Sequence, residues 1–121
     1  MPADHDAVSA LLPLPPATFH ILLALADEER HGYAVIQDVE ERTGGTLRMS
    51  AGTLYRSIAR MVEQGLIAEV AKRRSLADDE RRRYYLLTPF GTRVARAELR
   101  RLSRIVRLAR ARGVTPAPET A

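Results

Sequence analysis

The chain is 121 residues long with 45% hydrophobic side chains, enough for one small domain and its core, and its lack of cysteine excludes a disulfide framework and thiolate metal sites. No apolar run reaches membrane-spanning length, and Asp4 and Asp6 stand where a secretory signal carries positive charge, so a cytoplasmic protein is expected. The net charge is +4, yet residues 1–71 hold five basic and ten acidic side chains while residues 72–112 hold fourteen and four, which suits a polyanionic partner for the second half, with a solvated arginine-rich face accounting for part of it.

In chain order, four prolines between Met1 and Pro16 predict a flexible arm over residues 1–15, ordered at most near Leu11–Leu14. Pro16 suits a first helical position, and Ala17 to Ala26 is apolar nearly all round, so a buried helix is expected. Asp27 to Arg30 reads as a charged turn. A second helix runs from His31 or Gly32 to Thr43, with Val35, Ile36 and Val39 inward, and Gly44-Gly45 ends it. Thr46 to Met49 is a short link.

Ser50 to Ile67 carries the chemistry. Leu54, Ile58, Met61 and Val62 fall on one side at helical spacing, and Thr53, Arg56, Ser57, Arg60 and Gln64 on the other. Ser50 is placed as the N-cap and Gly65 as the stop. Gly52 is expected to let the helix start approach a neighbouring backbone.

Beyond Gly65 the period changes. Leu66 to Ala71 and Arg83 to Thr88 read as two strands around a polar loop, Lys72 to Arg82, with Asp78-Asp79-Glu80 near its tip. Thr88-Pro89 opens a long helix, Phe90 to Arg112. Its Ala95, Leu99, Leu102, Val106 and Ala109 recur at steps of four, three, four and three, a coiled-coil-like seam. Gly113 ends that helix, and residues 113–121 are expected to be a disordered tail. The fold class is mainly α with a small β-hairpin. A winged helix-turn-helix over residues 16–89 precedes one long dimerisation helix over residues 90–112.

A stripe of two arginines, hydroxyls and an amide matches what the DNA major groove accepts. The expected reading residues are Ser50, Thr53, Tyr55, Arg56, Ser57 and Arg60. Tyr55 either bonds a phosphate or buttresses the helix pair, and Tyr33 on the second helix carries the same two readings. Lys72, Arg73 and Arg74 on one side of the wing, with Arg81, Arg82 and Arg83 on the other, form a basic clamp for phosphates. The acidic tip either overhangs the duplex or pairs with these arginines. The arginines of the last helix read mostly as a solvated face. Its apolar seam, Ala95, Leu99, Leu102, Ile105, Val106 and Ala109, is expected to pair with a second copy.

His5, His20 and His31 lack ligand-like spacing, so no metal is expected. His20 reads as a hydrogen-bonded core histidine and His31 as a local cap or backbone partner. No nucleophile–base pair or phosphate-cradling glycine loop appears, so neither catalysis nor a cofactor is expected. A winged helix that binds only protein is the alternative, separated by salt-dependent duplex binding. An arginine-rich helix lying on an anionic membrane ranks below it, because the seam contains Ala95 and Ala109 and no tryptophan.

The pattern resembles the PadR-like transcriptional regulators. His31-Gly32-Tyr33 opens the second helix, and Gly52-Thr53-Leu54-Tyr55 lies in the third. Gly65-Leu66-Ile67 marks its exit, and Arg83-Tyr84-Tyr85-Leu86-Leu87-Thr88 with Gly91 completes the match, from about Pro16 to about Gly91. The resemblance implies a dimeric DNA-binding regulator, usually a repressor, with the third helix in the major groove and the wing on the backbone. Arg56 stands where the family commonly has proline. Only one helix follows Gly91, which makes this a short member, and no effector is assigned.

Overall fold

Two helices meet on the buried helix α2 (Pro16–Ala24): α3 (Gly32–Arg42) and the long α5 (Pro89–Ala111). This arrangement comes from a computed structural model that describes residues 4–70 and 83–116. Pro16 takes a first-turn position, where a missing N–H costs nothing, and Ile21, Leu22 and Ala24 are fully buried. α4 (Ala51–Glu63) packs on α3 through Leu54, Ile58 and Met61. Val62, expected inward, is 40% exposed because it lies at the edge of that stripe.

Each boundary of the helix pair has a local cause. His31 caps α3, its Nδ1 accepting from the Ala34 N–H at 3.2 Å. The Thr43 hydroxyl closes the helix by donating to the Val39 carbonyl at 2.8 Å, and Gly44 and Gly45 turn the chain with φ of 61° and 81°. Ser50 Oγ accepts from the Thr53 N–H at 3.1 Å to start α4. Gly65, at φ 77°, ends it.

The sheet is antiparallel, with order β1 (Arg30–His31), β3 (Tyr84–Leu87), β2 (Ile67–Val70). Ile67 faces Leu87 and Val70 faces Tyr84 in the hairpin, while Arg30 pairs with Tyr85. The strand β1 replaces the end of the expected charged turn. Arg30 is fixed there by donating to the Ala24 carbonyl at 2.7 Å. Thr88 then joins sheet to helix: its hydroxyl donates to the Gly65 carbonyl at 2.6 Å and accepts from the Gly91 N–H at 2.9 Å. Gly91 is buried against the Leu66 carbonyl, and a Cβ there would overlap that oxygen.

The stretch expected as a flexible arm contains a further helix, α1 (Asp4–Ser9), packed on α5 with Val8 buried. Leu11, Leu12 and Leu14 continue the same apolar cover. Pro13, Pro15 and Pro16 come after that helix has ended, which is why they do not prevent it. The Leu14 N–H donates to Glu98 on α5 at 2.8 Å, fixing the segment at its far end. Among the described residues no helix is long and apolar enough to cross a membrane.

Candidate nucleic-acid interface

The exposed side of α4 presents Ser50, Thr53, Tyr55, Arg56 and Arg60 together, with Ser57 half-buried beside them. The first turn is internally linked. Ser50 Oγ donates to Thr53 Oγ1 at 3.0 Å, and an Arg56 Nη lies 3.5 Å from the same oxygen. The two arginines are one turn apart and share a face. From Ser50 to Arg60 the helix carries no carboxylate, so this positive stripe is not neutralised along its own length.

Tyr55 lies where the two helices meet. Its ring lies over Gly32 so closely that a Cβ on that residue would sit 2.7 Å from the phenol oxygen. The glycine opening α3 therefore sets how near α4 can approach. Tyr55 remains about half exposed and Tyr33 is 62% exposed. Gly52 has open space around its would-be Cβ, which corrects the expectation of a close backbone contact there. Gly32 and Gly91 are the positions of close approach, because helix–helix and helix–strand packing converge on them.

In the wing, Arg83 is exposed and lies 3.6 Å from Glu69 on the neighbouring strand. Lys72, Arg73, Arg74, Arg81 and Arg82, together with the acidic tip Asp78, Asp79 and Glu80, lie outside the described residues.

On α5 the apolar seam divides. Ala95 packs against the chain's own core, because the start of the helix rests on the domain. Leu99 is 57% and Val106 49% exposed, Ile105 is exposed, and Leu102 and Ala109 are half-buried. Leu108 is also exposed, off that line. Sequence reasoning missed Glu98, which is 2% exposed in an arginine-rich helix. The Arg101 guanidinium pairs with it through two nitrogens, one at 3.1 Å. That bond, helped by the Leu14 N–H and opposed by burial, holds the Glu98 carboxyl below the usual carboxylate range.

The chain is similar to known proteins in sequence and in fold. An uncharacterized 37.1 kDa protein in transposon TN4556 from Streptomyces fradiae is 33% identical over 85 residues, covering 70% of this chain but 22% of that protein. The chain thus spans under a quarter of the length of that relative. A PadR family transcription regulator from Clostridium difficile shares the fold with a TM-score of 0.69 at 23% identity, covering 80% of this chain and 97% of that one. Bacillus subtilis PadR, solved in complex with operator DNA, aligns with a TM-score of 0.63 at 20% identity, covering 90% of this chain and 54% of that one. The pattern of the transcriptional regulator PadR-like family matches residues 21–97, from the buried helix through the wing into the long helix. The matching family and the Clostridium difficile neighbour are described as transcriptional regulators. With its winged helix-turn-helix and long C-terminal helix, the chain belongs to the PadR-like family of transcriptional regulators.

Proposed function

We propose that the protein is a homodimeric, sequence-specific repressor that binds a pseudo-palindromic operator in cytoplasmic double-stranded DNA. The observation that carries this is the exposed α4 stripe, with Arg56 and Arg60 on one face of a helix fixed by its Ser50 cap and by Tyr55 over Gly32. Guanidinium groups read guanine edges or hold phosphates, and hydroxyls such as Thr53 and Ser57 serve either. The operator complex of Bacillus subtilis PadR supports the same use of this fold. Tyr33 and Tyr55 supply phosphate bonds at the border of the face, and Lys72, Arg73, Arg74, Arg81, Arg82 and Arg83 contact the backbone without reading sequence.

Dimerisation follows from α5. Leu99, Leu102, Ile105, Val106 and Ala109 need a cover, and the same helix of a second copy supplies one by two-fold symmetry. Two reading helices then lie about 34–36 Å apart, or a multiple of that, which requires a two-fold related site. Selection from a random duplex pool at about 0.15 M salt tests the proposal. Enrichment of a palindromic site supports it. A pool that stays random, or an enriched site without symmetry, contradicts it.

A further inference from the structure

An open groove of about 740 Å³ runs between α1 and α5. Its floor is apolar, made by Val8, Leu12 and Ala97, and its α5 wall is arginine. Two of the wall arginines are already engaged: Arg101 by Glu98, and Arg93 over the Phe90 ring at 5.7 Å. Arg96, Arg100 and Arg104 also line the groove, and none of the three has an ion pair among the described residues. They stand one turn apart, where like charges repel along the helix, so an anion held between them relieves a standing repulsion.

We propose that this groove binds a small organic polyphosphate, its phosphates on Arg96, Arg100 and Arg104 and its apolar or aromatic body against Val8, Leu12 and Ala97. Three arginines without an ion pair among the described residues call for several negative charges on one ligand, since a monocarboxylate would leave two of them unmatched. Guanidinium forks bind phosphate oxygens in pairs, a geometry an ammonium lacks. The volume is within the range of small-molecule clefts, and the groove is concave between His5, Val8 and Ser9 of α1 and the arginines of α5, where a duplex would need an open face. By helical rotation the arginine line lies about 130° around α5 from Leu99, Leu102 and Val106. A dimer formed along those apolar residues therefore leaves the groove open, and the inference does not depend on the DNA-binding proposal.

Calorimetric titration of the full chain with ATP, GTP and inorganic tripolyphosphate at about 0.15 M salt tests it. The expected result is one nucleotide per chain. The triple variant Arg96→Gln, Arg100→Gln, Arg104→Gln should bind about tenfold or more weakly, with unchanged helix content, since glutamine is a good helix former. A control variant, Arg107→Gln, Arg110→Gln, Arg112→Gln, removes the same charge outside the groove and should bind as the parent does. Absence of binding by all three probes overturns the proposal. So does equal loss in both triple variants, which would mark diffuse electrostatics. A groove variant that keeps nucleotide binding but loses duplex affinity overturns it in favour of a flanking DNA contact. A protein that binds nucleotide in the groove but no duplex supports it while removing the proposed function.

Discussion

Gly91 and Glu98 show how single residues hold this domain together. Gly91 lets α5 start directly on the Leu66 carbonyl, and backbone cannot swing aside as a side chain can. Gly91→Ala is therefore expected to destabilise the fold by about 3 kcal/mol, the upper range of overpacking, measured by urea denaturation. Gly32 is the contrasting case, because the atom it would meet is the free end of Tyr55. Glu98 ties the N-terminal segment to α5 through the Leu14 N–H and Arg101. Its carboxyl titrates lower in the folded chain than in the unfolded one, so its contribution is full above the ordinary glutamate range and is lost as pH falls through the folded value. Glu98→Gln should remove that part of the acid destabilisation, seen as a flatter dependence of urea midpoint on pH below about 5. Caps such as Ser50, Thr88 and His31 were readable in the sequence because a cap and its amide are three residues apart. Glu98 was not, because its burial depends on a backbone group 84 residues away.

At the scale of elements, the helices with strong periodicity or a continuous apolar run fell near their predicted bounds. The exceptions are the elements that cannot stand alone. α1 has six residues, too few for a helix to persist without the α5 surface beneath it. β1 has two residues, too short for any alternation, and exists because Tyr84 and Tyr85 offer an edge. The wing is predicted to act without reading bases. Replacing Arg73, Arg74, Arg82 and Arg83 with alanine should weaken all duplexes alike and flatten the salt slope by about one unit per lost phosphate contact. A loss confined to particular sequences would show base reading instead, with Arg83 the member already placed beside Glu69.

For the whole molecule, the polar face of α4 and the apolar line of α5 were both legible as periodicity. What pairs with each lies outside one chain's sequence, and even Ala95 proved to serve the chain's own core. Leu102→Glu with Val106→Glu should give monomers by light scattering and abolish tight operator binding while the winged domain stays folded. A dimer that survives both changes would place the interface elsewhere. The proposed function requires that α4 read duplex DNA. Fluorescence anisotropy on the selected operator and on a scrambled duplex, at one salt concentration, compares the parent with Arg56→Ala, Arg60→Ala. The expected result is a loss of about 1–3 kcal/mol for each arginine that reads a guanine edge, with relaxed preference at the base it reads. Unchanged affinity and unchanged preference in the double variant would contradict it.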